Sequence, residues 1–107
     1  MDLRRHQRFP VHFQSVLSGQ SRGEMVGTLM NLSKSGCRAK TDGKAYSGMQ
    51  VSLRFDVPGE PSPICIDRGA VRWNREGELG VGFITVALPQ QERLDQLLKR
   101  LKQELQG

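Results

Sequence analysis

Up to about residue 87 apolar and polar positions alternate along the chain, and beyond it they recur at helical spacing. Val11, Phe13 and Leu17 alternate with polar residues, and Gly19-Gln20-Ser21-Arg22-Gly23 offers a flexible turn into the run from Met25 to Leu32, which predicts a first hairpin. An antiparallel pair returns the chain to where it began, so the segment from Asn31 to Gly36 is expected beside the N-terminal residues. Cys37, Ala39 and Thr41 fall on one face and Arg38 and Lys40 on the other. Met49, Val51, Leu53, Phe55 and Val57 give the cleanest period of two in the chain.

The prolines of Pro58-Gly59-Glu60-Pro61-Ser62-Pro63 cannot continue a ladder, so this stretch reads as a loop; Ile64 to Trp73 and Leu79 to Val86 then form a last pair around Asn74 to Gly77. Six short strands at this spacing predict a six-stranded antiparallel β-barrel. Pro89 stands where a first helical turn begins, and Leu94, Leu97, Leu98, Leu101 and Leu105 follow at helical spacing. Such a stripe must be covered, by one mouth of the barrel or by a second copy of itself. The expected class is all-β with a C-terminal helix, in one domain: an arm over 1–9, a barrel over 10–87 and a helix over 88–106.

With 107 residues the chain has room for a single core, and a hydrophobic share of 36% with 6% aromatic makes that core small and mostly aliphatic. A formal charge of +5 points to an acidic partner, whether nucleotide, nucleic acid, anionic lipid or acidic protein surface. Eleven arginines against five lysines favour planar, bidentate recognition, although solvated arginines on strand faces give the same count. A basic barrel binding single-stranded nucleic acid is one alternative. Such surfaces interleave basic residues with exposed aromatics, whereas Phe13, Phe55 and Phe83 all sit in the apolar phase, which counts against it.

Cys37 and Cys65 form no Cys-x-x-Cys spacing, so free thiols are expected, and His6 and His12 stand apart as ordinary polar side chains. No nucleophile with a base and an orienting group, and no metal-ligand spacing, can be assembled; a non-enzymatic protein without a cofactor is expected. Without a leader or a long apolar run, a cytoplasmic location with no membrane insertion is the default.

Two segments carry candidate chemistry. In Arg4-Arg5-His6-Gln7-Arg8, Arg4 and Arg8 offer forked, permanently charged donors suited to phosphate or a guanine edge. Pro10 follows closely and no apolar period supports a helix, so an extended arm is expected, mobile when empty. Asn31-Leu32-Ser33-Lys34-Ser35-Gly36 supplies an amide, a hydroxyl and a glycine able to take positive φ or to admit a close backbone approach. The same residues also make an ordinary turn between strands. The lone Trp73 belongs, on burial statistics, in the core.

The arrangement Arg-x-x-x-Arg (Arg4, Arg8) followed by Asp/Asn-x-Ser-x-x-Gly (Asn31, Ser33, Gly36) resembles the PilZ domain family, bacterial receptor modules for the second messenger cyclic di-GMP. The Met49 to Val57 strand, Gly69-Ala70-Val71-Arg72-Trp73, Leu79-Gly80-Val81-Gly82-Phe83 and the closing helix follow in the family's order. By that resemblance Arg4 and Arg8 would clamp guanine faces and phosphates from the arm. Asn31, Ser33 and the backbone at Gly36 would hold a guanine edge and phosphate from the barrel, with Arg5, Arg38 and Trp73 as auxiliary neighbours. The resemblance allows one ligand molecule or a stacked pair. It implies a receptor that orders its arm on the nucleotide and signals to a protein partner. A module that has kept only protein binding, through the barrel edge or the Leu94 to Leu105 face, is the alternative.

Overall fold

The computed structural model describes residues 6–19 and 23–106, the last without its side chain. Six strands, β1 (Phe9–Gly19), β2 (Gly23–Leu32), β3 (Gly36–Thr41), β4 (Gln50–Phe55), β5 (Ile64–Arg75) and β6 (Glu78–Thr85), close into an antiparallel barrel, followed by the helix α1 (Leu88–Gln106). Around the barrel the order is β1-β2-β3-β6-β5-β4, two three-stranded meanders joined along β3–β6 and β1–β4. The expected fold class is therefore the observed one.

Alternation explains each strand's inward face. Leu17, Leu29, Leu53, Phe55, Ile64, Ile66, Val71 and Leu79 are all buried, and Phe13 stacks on Phe55 with ring centroids 6.0 Å apart. Each such side chain contributes about 1.5–3 kcal/mol by leaving water.

Both barrel ends are closed. At one, Leu94 and Leu97 of α1 are buried, and the helix packs on β5 and β1. Its first turns are tied down by polar side chains: the Cys65 amide donates to Gln90 Oε1 at 2.9 Å, and Arg93 donates to the carbonyls of Ser62 and Pro63 at 2.6 and 2.8 Å. The helix thus closes the core, leaving Leu98 and Leu101 half-buried and Leu105 exposed. At the other end residues 42–49 cross from β3 to β4 with Ala45 buried, held by Ser47 Oγ donating to the Arg72 carbonyl at 3.0 Å and Gly48 N donating to the Val71 carbonyl at 2.7 Å.

Two breaks in register shape the outer surface. Between Leu29 and Asn31 one residue of β2 has no partner on β3, so Leu29 and Leu32, three apart, both point inward and Asn31 points out, opposite Arg38. Between Val71 and Trp73 β5 is bulged against β6, and Trp73, which strict alternation would place inside with Val71, lies outside opposite Gly80 with 38% of its surface exposed. Trp73 is therefore not the core residue that burial statistics favour. The bulge overrides the preference.

Candidate functional site: a glycine-floored cationic cavity

The register places Asn31 opposite Arg38, Arg38 opposite Gly80 and Gly80 opposite Trp73, one continuous row across β2, β3, β6 and β5. Directly opposed residues of an antiparallel sheet share a face, so the side chains of Asn31, Arg38 and Trp73 stand together on the outside of the barrel, with bare Gly80 between the last two. Beside them Gly36 opposes Gly82. The three glycines form the floor of a cavity of about 540 Å³ whose walls include Arg8, Asn31, Arg38, Arg72, Trp73 and Phe83.

Glycine keeps the floor bare and flat. A Cβ on Gly80 would run into the Trp73 indole, and one on Gly82 would come within 2.6 Å of the Arg72 guanidinium. On β6 the Gly-Val-Gly alternation keeps Val81 in the core while leaving the outer face bare for two flat side chains to lie on. At Gly36 a Cβ would sit 2.5 Å from the Val81 carbonyl, and the residue has no positive φ. Close approach of β3 to β6, rather than backbone handedness, is what demands glycine there.

The turn from β2 to β3 is built by Ser33. Its amide donates to the Gly36 carbonyl at 2.8 Å, and its hydroxyl accepts from the amides of Ser35 and Gly36, both at 3.2 Å. That hydroxyl is buried and committed to the turn. Ser35 and Gly36 line the cavity; Ser33 lies beneath.

Arg8 reaches the cavity from the chain before β1, and its Nη1 donates to Asn31 Oδ1 at 3.3 Å. The expected return of the β2–β3 turn to the side of the arm is thus realised, since Pro10 pairs with Asn31 and Phe9 with Leu32. Arg4 and Arg5 lie outside the described residues.

Arg8, Arg38 and Arg72 give the cavity three guanidiniums, and no carboxylate is among its lining residues. Beside the lining Glu78 lies 3.7 Å from Arg38 Nε. The Trp73 ring rests over Gly80 and carries the Arg75 guanidinium 5.6 Å from its centroid, a cation–π pair. Under the lining, burial pushes the Cys37 thiol up to about 12, a rise that the nearby Arg8 charge tempers. Among the described residues no group of three or more His, Cys, Asp or Glu could hold a metal ion, and both cysteines are free thiols. No helix among them is long and apolar enough to cross a membrane.

Sequence reasoning missed Arg72, Gly80 and Gly82 as parts of this site. The available signal was the glycine alternation in β6, two outward positions without side chains flanking an inward valine.

A family model for the PilZ domain matches residues 2–100. No curated protein matches the chain. Among solved structures, the Bacillus subtilis inhibitor of motility (MotI/DgrA) superposes with a TM-score of 0.76 at 19% identity, covering 97% of this chain and 53% of that one; this chain spans about half of that protein's length. The PilZ domain of a cellulose synthase from a cellulose-synthesizing bacterium superposes with a TM-score of 0.70 at 18% identity, over 90% of this chain and 98% of that domain. At these identities the superpositions speak for the barrel and its helix. Together with the family match over nearly the whole sequence, they establish that the chain belongs to the PilZ domain family.

Proposed function

We propose that this protein is a receptor for cyclic di-GMP, the general role of its family, and that it acts by binding rather than by catalysis. The observation that carries the reading is the convergence of Arg8, Arg38, Arg72, the Asn31 amide and the Trp73 indole over a floor with no side chains. A cyclic dinucleotide carries two negative phosphates and two flat purines. Guanidiniums meet phosphates and the O6/N7 edge of guanine in bidentate fashion. An indole face offers a stacking platform, and an amide oxygen accepts from the guanine N1 and N2 hydrogens.

In this reading Asn31 and the backbone around Gly36 seat the ligand, Ser33 acts by holding the turn that presents them, and Arg8 closes over the top with Arg4 and Arg5. Arg8 reaches Asn31 across the cavity, which positions its guanidinium to meet a ligand seated there. Ordering that arm costs free energy, which the charge-assisted contacts offset. The arm's altered position is what a protein partner reads.

Isothermal titration with cyclic di-GMP, cyclic di-AMP and GTP side by side tests the proposal. Cyclic di-GMP should bind at low- to sub-micromolar Kd, about −8 kcal/mol or better, and the other two more weakly. Absence of heat with millimolar cyclic di-GMP would reject it.

A further inference from the structure

A second concavity, of about 270 Å³, lies between the chain before β1 and the helix. Its floor is apolar, made by Phe9 and half-buried Leu98, and its rim is cationic, with Lys34 from the β2–β3 turn and Lys99 and Lys102 from α1. Among the residues that line it there is no carboxylate. The three lysines are exposed. Beyond the groove the same helix face continues through half-buried Leu101 to exposed Leu105, at spacings of three and four.

We propose that this groove docks an acidic amphipathic peptide segment of a partner protein, one apolar side chain settling on Phe9 and Leu98 while flanking carboxylates face Lys34, Lys99 and Lys102. The charge pattern selects the occupant. A rim of lysines without arginine supplies point charges suited to scattered carboxylates rather than the forked donors that grip phosphate. The apolar patch at Phe9 and Leu98 is small, with Phe9 only 4% exposed, and takes a single inserted side chain, which suits a peptide better than a bilayer. Of the other large exposed apolar side chains, Val26, Tyr46, Trp73 and Ile84 lie on β2, in the 42–49 crossing, on β5 and on β6, and Leu88 starts α1; none of them lines the groove.

The groove is distinct from the cavity over β6, so the inference does not depend on the ligand proposed for that cavity. The two share a wall nonetheless: Arg8 lines the first while its neighbours His6, Gln7 and Phe9 line the second.

The test uses a fluorescein-labelled peptide of about twelve residues, rich in glutamate with one phenylalanine and two leucines at helical spacing. The control peptide replaces those three by serine. Fluorescence anisotropy with the full chain and no nucleotide should give a micromolar Kd for the first peptide and none for the control. The double variant Lys99→Glu with Lys102→Glu should weaken binding at least tenfold. Lys40→Glu with Lys44→Glu makes the same charge change at exposed lysines on β3 and in the 42–49 crossing, and should weaken it less than twofold. Unchanged thermal melting of both variants establishes that each is folded. Equal losses in the two variants, equal binding of the serine control, or no peptide binding alongside Lys99- and Lys102-dependent binding to phosphatidylserine vesicles would each overturn the proposal.

Discussion

Arg8 is the residue at which backbone position and chemistry meet. It precedes the first core residue, Phe9, and among the described residues its side chain makes one exposed 3.3 Å hydrogen bond, to Asn31, so it contributes little to stability and much to the charge of the cavity. The variant Arg8→Glu should keep the wild-type melting temperature within a degree or two and lose at least a hundredfold in cyclic di-GMP affinity, because it removes a guanidinium and adds a like charge facing the phosphates. Unchanged affinity by titration would remove Arg8 from the site. A different residue carries backbone strain. Glu76 has φ of 55° beside Gly77 at 88°, the pair of positive values that a two-residue β5–β6 turn of type I′ requires. A side chain in this left-handed region costs about 1–2 kcal/mol. Glu76→Gly should therefore stabilise the protein by about 1 kcal/mol in urea unfolding, with ligand affinity unchanged, since the turn lies outside the cavity.

Between elements, the cavity depends on how β5 lies against β6. The bulge after Val71 turns Trp73 outward, and the bare Gly80 lets its indole lie flat on the sheet. Gly80→Ala should lift the indole into the cavity, red-shift its emission and weaken cyclic di-GMP binding about tenfold or more while the barrel still forms; an unchanged emission spectrum and affinity would show that the floor needs no glycine at that position. The six strands and the helix could be read from alternation because one-sided burial imprints a period of two directly on residues such as Met49 to Val57, and of 3.6 on Leu94 to Leu101. The strand order could not. The β3–β6 and β1–β4 pairs join segments remote in the chain, and nothing local to either strand names its partner. Asn31 and Gly36 stood out as a motif within six residues, whereas Arg72, Gly80 and Gly82 acquire their meaning only across the β5–β6 ladder. The bulges escape for a related reason: one extra residue leaves no compositional mark, and only the three-residue interval between two buried leucines, Leu29 and Leu32, betrays the first of them.

For the molecule as a whole, the Cys37 thiol links the core to pH. Its pKa stands at about 12 against an ordinary 9.0, so the folded protein keeps a proton that the unfolded chain gives up as pH passes 9. The contribution is fully present below about pH 9 and is lost progressively as pH rises toward 12. Urea unfolding at pH 8 and pH 10.5 should show a smaller alkaline loss of stability in Cys37→Ala than in the wild type, although the variant starts lower because of the cavity left behind. Equal alkaline losses would show that the thiol is not the linked group. The closure of the sheet has a consequence of another kind. In a ring of six strands in which β1 pairs with β4, every strand has a neighbour on both sides over at least part of its length, so no strand offers a whole free edge of amides and carbonyls to a seventh. A visiting polypeptide finds no full-length edge to zip onto by main-chain hydrogen bonds, as it would on an open sheet. Recognition thereby falls mainly to side chains, and point substitutions on the surface are able to rewire this protein's associations without touching its architecture.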